Sequence, residues 1–122
     1  MPKKVLIIED SGDIGMALKL LIKFEGYDAV VASSAAAGRD LALKDRPDLI
    51  IMDIRLPDED GIVLTRSLRA SPETSDTPIV CVSSYTRGLE DEALIAGCNE
   101  VFSKVTFMES FHATLTKYLG RA

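Results

Sequence analysis

Five polar side chains stand where short apolar runs of this chain end. In chain order they are Glu9, Asp10, Asp53, Ser83 and Lys104. Carboxylates that meet in one cleft repel each other and are costly to ionise unless a cation neutralises them. Hard oxygen ligands of this kind suit Mg²⁺, which keeps several waters and shares phosphate oxygens. A hydroxyl and an ammonium group opposite the carboxylates would hold the remaining oxygens of a transferred phosphoryl group.

The segment that leads to Asp53 indicates how such residues are positioned. Residues 49–52 are all apolar, so they do not alternate between a core face and a solvent face. Such a run is typical of a strand buried on both faces, as in a parallel sheet covered by helices. Asp53 then lies at the carboxyl end of that strand, which is the edge where ligands bind in open α/β sheets. Taken alone, Asp53 could equally terminate the strand, and the other four residues favour chemistry.

Apolar periodicity predicts the elements that carry these residues. Strands are predicted over 5–8, 28–32, 48–52, 79–82 and 99–103. Helices are predicted over 14–24, 33–44, 61–70 and 87–96, followed by a last helix capped by Thr106. Short connections between alternating strands and helices force right-handed crossovers, so the sheet is parallel and doubly wound. We expect one α/β domain over residues 1–122 with strand order 2-1-3-4-5.

The composition excludes several classes of protein. A net charge of −5 without a clustered basic patch argues against nucleic-acid binding, because phosphate backbones require clustered Lys and Arg. The sequence has neither an apolar span long enough to cross a bilayer nor a signal-peptide pattern. Cys81 and Cys98 lack metal-ligand spacing, so we expect free buried thiols in a reducing cytoplasm. A cytoplasmic protein that contacts neither nucleic acid nor membrane is the expectation.

His112, the only histidine, is a further candidate for phosphotransfer or metal binding. It has no second histidine or cysteine near it in the sequence, and it lies within a predicted amphipathic helix. We therefore expect an ordinary half-buried side chain rather than a functional group.

With these residues assembled, the whole chain resembles the receiver domains of two-component response regulators. The matching residues are Glu9, Asp10, Asp53, Leu56, Pro57, Asp60, Gly61, Ser83 and Lys104. The resemblance implies a flavodoxin-like (βα)₅ fold and a phosphorylation-controlled protein-interaction switch. Such a domain is not an enzyme in its own right, although it assists its own phosphorylation and dephosphorylation.

The resemblance also implies roles for single residues. Asp53 would be the phosphoacceptor, taking its phosphoryl group from a histidine kinase or a histidine-phosphotransfer protein. Ser83 and Lys104 resemble the residues that contact the acyl phosphate. The downstream target would be another protein, which the sequence does not identify.

The same resemblance implies a Mg²⁺ site. Asp10 and Asp53 resemble its direct ligands, and Glu9 would reach the ion directly or through water. The backbone carbonyl of Arg55 would complete the protein's share of the ligands.

Two positions depart from the receiver pattern. Receivers usually carry a cis proline directly after the lysine, where this chain has Val105. Because a cis bond before a non-proline residue costs about 3–4 kcal/mol, we predict a trans bond after Lys104 and a rerouted loop. Receivers usually place Tyr or Phe three residues before the lysine, where this chain has Val101. Phe102 is one place later and is predicted to face the opposite side of the sheet.

These departures affect how phosphorylation would be transmitted. Valine is stiff at χ1 and too short to move between surface and interior, so Val101 is not expected to act as a switch. We hypothesise that the segment 83–88 moves instead, with Tyr85 close enough to the cleft to gate water, and that the weakly nucleated helix from Arg87 follows.

Three alternatives belong to other functional classes. A flavodoxin-like binder of a phosphorylated cofactor is disfavoured because Glu9 and Asp10 would repel the cofactor phosphate. A phosphohydrolase that uses Asp53 as nucleophile would need a second aspartate two residues later, where Arg55 stands. A receiver-like docking module that needs no phosphorylation is suggested by the two valines described above. The start at Met1 and the end soon after the last helix are expected for a stand-alone receiver, although a fragment of a longer regulator would look the same.

Overall fold

The structure is a computed structural model that describes residues 2–84 and 88–120. Its strands are β1 (Lys4–Ile8), β2 (Asp28–Ala32), β3 (Leu49–Asp53), β4 (Ile79–Ser83) and β5 (Glu100–Ser103). Its helices are α1 (Gly12–Phe24), α2 (Ala35–Asp45), α3 (Gly61–Ala70), α4 (Glu90–Ala96), α5 (Lys104–Glu109) and α6 (Phe111–Leu119). Each end of a predicted strand lies within one residue of the observed end.

The five strands form one parallel sheet in the order β2-β1-β3-β4-β5. The prediction of a doubly wound α/β fold with this order is confirmed. Because β1 and β3 are neighbours, the chain leaves the sheet in opposite directions on either side of them. The carboxyl ends of β1 and β3 therefore lie side by side.

The sheet is covered on both faces, as the apolar runs predicted. Alternate strand residues divide between two buried clusters, because successive side chains of a strand point to opposite faces. One cluster, on the side of α2, α3 and α4, includes Leu6, Ile8, Ile50 and Met52. The other, on the side of α1, α5 and α6, includes Val5, Ile7, Leu49 and Ile51.

The predicted last helix is wrong in its start and in its continuity. Ser103, not Thr106, is the N-cap, and its hydroxyl accepts a hydrogen bond from the Thr106 amide at 3.1 Å. The predicted helix is interrupted at Ser110, which is the C-cap of α5 and directly precedes α6. Phe107 lies in the core, with an exposure of 1%.

The connection after Lys104 also differs from a rerouted loop. Within the part of the chain that the structure describes, no peptide bond is cis, so the bond between Lys104 and Val105 is trans as predicted. A proline at position 105 would disfavour helical geometry at the preceding residue, and Val105 imposes no such restriction. Lys104 is consequently the first residue of α5, and Val105 is 72% exposed.

The prediction of two free thiols is wrong. Cys81 and Cys98 form a disulfide, with their Cα atoms 6.6 Å apart. Because β4 and β5 are neighbours in the sheet, the turn after α4 brings the chain back beside β4. Cys98 in this turn thereby meets Cys81 of β4, which is 17 residues earlier in the chain. Spacing along the sequence does not reveal such a contact, which depends on how side chains of neighbouring elements pack.

Two further observations bear on the predictions. No helix in the described ranges is long and apolar enough to cross a membrane. Tyr85 and Arg87, on which the proposed movement of the segment 83–88 partly depends, lie outside the described residues.

Candidate functional site

The carboxyl ends of β1 and β3 bring three carboxylates together. One oxygen from each of Glu9, Asp10 and Asp53 lies within 4.8 Å of the other two. Glu9 and Asp10 directly follow β1, while Asp53 is the last residue of β3. The predicted convergence of these three acids is thus observed, and no other such acidic, histidine or cysteine group occurs among residues 2–84 and 88–120.

Glu9 is the most buried member of the acidic group, with a residue exposure of 4%. Burial raises the pKa of its carboxyl group, and the neighbouring Asp53 carboxylate raises it further. The Ser11 amide donates a hydrogen bond to Glu9 Oε2 at 3.3 Å, which favours the ionised form. The site therefore opposes ionisation of Glu9 unless positive charge lies beside it.

Lys104 supplies one such charge. Its Nζ lies 3.6 Å from Glu9 Oε1 and 4.0 Å from Asp53 Oδ2. The ammonium group reaches the acids from the first turn of α5, because Ser103 caps that helix at the carboxyl end of β5. The lysine predicted from the sequence is thus in contact with the acidic group.

The chain turns sharply after Asp53 and passes close to it again. The amide of Arg55 donates to Asp53 Oδ1 at 3.0 Å, and the amide of Gly61 donates to the Ile54 carbonyl at 2.7 Å. A Cβ atom at position 61 would lie 2.6 Å from the Asp53 carbonyl oxygen, so only glycine fits there. Asp60 caps the following helix by accepting a hydrogen bond from the Ile62 amide at 2.7 Å.

Ser83 ends β4 on the other side of Asp53. The sheet register pairs Asp53 with Val82, so Ser83 extends one residue beyond the end of β3. An open cleft of about 400 Å³ is lined by Asp53, Arg55, Ser83 and Ser84. One side of Asp53 therefore faces the Lys104 ammonium group, and the other faces the cleft that Ser83 and Ser84 also line.

An apolar cavity of about 140 Å³ lies beside the acidic group and was not predicted from the sequence. Its walls include Ile14 and Leu18 of α1 and Phe107 and Met108 of α5. Glu9, Asp53 and Lys104 also border it. Helical periodicity shows that α1 and the chain after β5 carry apolar residues, but only the tertiary structure places these residues around one cavity.

Val101 and Phe102 lie on opposite faces of β5, as predicted. Val101 is half-buried and packs against the core cluster on the side of α2, α3 and α4. Phe102 packs against the other cluster, and its ring centroid is 5.8 Å from that of Phe107.

His112 does not take part in the acidic site. Its side chain is 78% exposed, so the expected half-buried position is wrong. Nδ1 of His112 contacts Oε1 of Glu25, the residue that ends α1. The contact joins α6 to the C-terminal end of α1, whereas Glu9 lies near the N-terminal end of that helix.

A family model of the response regulator receiver domain matches residues 5–116. The chain belongs to this receiver family. Members are two-component phosphoacceptors of signalling pathways, with weak phosphorylation chemistry of their own. The acidic group described above lies where this function requires it.

Relatives support the same assignment over the full length. The polar-differentiation response regulator DivK of Brucella anthropi is 36% identical over 124 residues and covers all of both chains. The Brucella ovis protein of the same name is 35% identical, again over all of both chains.

Solved receiver structures superpose closely. Chemotaxis protein CheY4 of Vibrio cholerae has a TM-score of 0.89 at 25% identity, covering 98% of this chain and all of that one. The receiver domain of sensor histidine kinase PA1611 from Pseudomonas aeruginosa has a TM-score of 0.88 at 25% identity and covers 98% and 99% of the two chains. That receiver holds a magnesium ion coordinated in its active-site cleft.

Proposed function

We propose that this receiver accepts a phosphoryl group on Asp53 from a histidine kinase or a histidine-phosphotransfer protein. The observation that carries the proposal is the placement of Asp53 between the Lys104 ammonium group, 4.0 Å away, and the cleft lined by Ser83. In this arrangement Lys104 attracts phosphate oxygens and offsets charge that develops during transfer. The Ser83 hydroxyl would donate to another phosphate oxygen. The proposed receiver domain comprises residues 1–122, of which the family model matches residues 5–116.

Mg²⁺ fits the group of carboxylates beside Asp53. Glu9, Asp10 and Asp53 offer hard oxygen ligands within 4.8 Å of one another. Burial and the Asp53 carboxylate raise the pKa of Glu9, so a cation bound beside it would favour its ionised form. The Arg55 carbonyl would add a fourth protein oxygen. When bound, the ion neutralises the charges that otherwise repel an incoming phosphate. The magnesium ion in the PA1611 receiver supports this assignment.

The phosphodonor would dock beside α1. Three apolar side chains recur at i, i+4 and i+8 on this helix and are exposed, namely Met16 at 52%, Leu20 at 60% and Phe24 at 91%. This apolar stripe of α1 is on the helix that walls the cavity next to Asp53. A donor protein that buries the stripe would hold its phosphohistidine near the acidic site.

The phosphorylated domain would act through binding to another protein rather than by turning over a substrate. It would contact neither nucleic acid nor membrane. A cytoplasmic location is proposed from the receiver family alone. Two free thiols would have favoured a reducing cytoplasm, but Cys81 and Cys98 form a disulfide and no longer support that location. A phosphorylation-independent docking role has no better support, since the acids and the lysine are in mutual contact.

Transfer from a radiolabelled phosphorylated histidine kinase tests this function. Label should move to the wild-type receiver and not to Asp53→Asn, which keeps the shape of the side chain. Equal labelling of both proteins would show that Asp53 is not the acceptor.

A further inference from the structure

The loop between β3 and α3, residues 54–60, is attached to α2 by side chains for which the phosphoacceptor chemistry gives no role. The Asp58 carboxylate accepts hydrogen bonds from two α2 amides, that of Ala35 at 2.9 Å and that of Ala36 at 3.0 Å. These bonds lower the pKa of Asp58, so its carboxylate stays ionised. The first turn of α2 is thereby held by a residue 22–23 positions away in the chain.

A second attachment follows directly. Both Glu59 carboxylate oxygens accept from Nη2 of Arg39 on α2, at 3.0 and 2.8 Å. Nε of the same arginine donates to the Ser67 hydroxyl on α3 at 3.2 Å. The pair is half-buried, with side-chain exposures of 31% for Arg39 and 25% for Glu59. Arg39 thus connects the loop to both neighbouring helices.

These attachments matter because the loop carries a proposed metal ligand that is a backbone atom. A carbonyl oxygen has no rotamers of its own, so the path of the main chain decides where it lies. The amide of Arg55 donates a hydrogen bond to the Asp53 carboxylate, and Arg55 pairs with Asp60 across the loop. Asp58 and Glu59 lie between these two points and hold the loop against α2.

We propose that Asp58, supported by the Arg39–Glu59 pair, is a positioning residue for the magnesium site. It acts through the loop, by keeping the Arg55 carbonyl near Glu9, Asp10 and Asp53. The inference rests on the proposed function, since it assumes that the acidic group binds Mg²⁺. It assigns α2 a part in that function although α2 contributes no ligand. Removing a residue that orients a metal ligand without binding the metal itself commonly changes metal affinity by about 10–100-fold.

Isothermal titration calorimetry with Mg²⁺ alone tests the proposal. Asp58→Ala should raise the dissociation constant about 10-fold, and Asp58→Asn should raise it less because one acceptor oxygen remains. Glu59→Gln should raise it about three-fold, because a neutral amide holds Arg39 less firmly than a carboxylate does.

Two matched controls separate positioning from other causes. Ser34→Ala removes the local cap of α2, which accepts from the Ala37 amide at 3.1 Å, and leaves the loop intact. Asp13→Asn removes one carboxylate from the first turn of α1, at the same edge of the sheet, and also leaves the loop intact. Each control should change the dissociation constant less than about two-fold if loop position is the cause.

Hydrogen exchange supplies a second readout, because coupling between two sites is reciprocal. Mg²⁺ should slow exchange of the Ala35 and Ala36 amides in the wild type and have no such effect in Asp53→Asn. Mere stabilisation of α2 by Asp58 would not produce a metal-dependent change.

The outcomes are distinguishable. Wild-type binding together with an unchanged dissociation constant for Asp58→Ala would overturn this inference and leave the proposed function standing. Equal losses in either control would overturn it as well. Failure of the wild type to bind Mg²⁺ would contradict the metal site itself and the inference with it. If a thermal melt shows Asp58→Ala to be unfolded, Glu59→Gln and the exchange experiment decide.

Discussion

The environment of Glu9 shows most directly how the charges of the acidic site affect the stability of the protein. Its pKa is raised in the folded protein by burial and by the Asp53 carboxylate, so the folded state binds this proton more tightly than the unfolded state does. Its contribution to stability is therefore fully present below the unfolded pKa and is lost as pH rises through the folded pKa. Without a divalent cation, Glu9 therefore makes the folded protein less stable at neutral pH than at low pH.

We predict that Glu9→Gln stabilises the metal-free protein at neutral pH, because glutamine keeps the shape without the charge. The melting temperature in EDTA should rise by about 3–6 °C, which corresponds to about 1 kcal/mol for a domain of this size. Melts between about pH 4 and pH 8 should show the difference from wild type growing with pH. Added Mg²⁺ should stabilise the wild type more than the variant. A difference that shrinks as pH rises would contradict this account of Glu9.

Lys104 is expected to serve phosphorylation rather than folding. Its side chain is 33% exposed and its ammonium group faces the two carboxylates at the edge of the sheet, so truncation to alanine should leave the domain folded. Lys104→Ala should slow phosphorylation or impair the response to it by about 10-fold or more, while a thermal melt shows that the domain is still folded. Lys117→Ala, which removes a more exposed lysine paired with Glu100 at 3.3 Å, is the matched control.

Ser83→Ala should have the same kind of effect. Ser83 is buried, with an exposure of 2%, at the cleft that Asp53 also lines. We expect a folded protein with slower labelling or a weakened response, measured beside a thermal melt. A largely unfolded variant would assign Ser83 a structural role instead.

At the residue scale, the sequence contained most of the candidate site. Each acid, the serine and the lysine stand at the end of an apolar run, and a parallel sheet brings such ends together. The sequence did not reveal Asp58, because an acid between a proline and a glycine is typical of any turn. Its two bonds to α2 depend on how that helix packs against the loop.

Among the elements, α3 and the chain after α4 are joined by Arg69. Its guanidinium group donates to the carbonyl of Gly97 at 3.0 Å, to that of Thr77 at 2.6 Å and to Asn99 Oδ1 at 3.0 Å. Asn99 in turn accepts from the Ile79 amide at 2.8 Å. One side chain thus holds the segments that lead into β4 and β5.

We predict that Arg69→Met lowers the free energy of unfolding by about 2–3 kcal/mol, because it leaves partly buried acceptors without a donor. Urea denaturation measures the loss. Arg66→Met is the control, since Arg66 is exposed on the same helix. An equal effect of the two substitutions would show that charge or helix propensity, rather than the hydrogen bonds, is responsible.

The strand ends and most helices could be predicted from periodicity, while the chain after β5 could not. Ser103 and Thr106 are both good capping residues, and their hydroxyls lie 2.9 Å apart. The choice between them depends on Lys104 entering a helix directly, which the absence of a proline at position 105 permits. Local sequence rules leave such a choice open.

For the molecule as a whole, the strand order could be predicted from the alternation of strands and helices. The pairing of Cys81 with Cys98 could not be predicted in this way. Handedness and short connections restrict the order of a parallel sheet to a few possibilities. The Cys81–Cys98 contact and the cavity between α1 and α5 depend instead on side-chain packing across neighbouring elements.

The apolar stripe of α1 leads to a prediction about the phosphodonor. Leu20→Gln should lower the rate of transfer from a phosphorylated histidine kinase about 10-fold, because it places a polar group in the proposed interface. Labelling by acetyl phosphate, which needs no docking surface, should not change. Val63→Gln, at a 45% exposed position on α3, is the control. Equal transfer to both variants would exclude the stripe as the docking surface.

The most direct test of the central proposal, phosphorylation of Asp53 at a cation-dependent site, is intact-mass measurement after incubation with acetyl phosphate. The wild type with Mg²⁺ should gain one phosphoryl group. Asp53→Asn with Mg²⁺ and the wild type in EDTA should gain none, because the acceptor is absent in one and the acids repel the donor in the other. Undiminished labelling of Asp53→Asn, or of the wild type in EDTA, would contradict the proposed site.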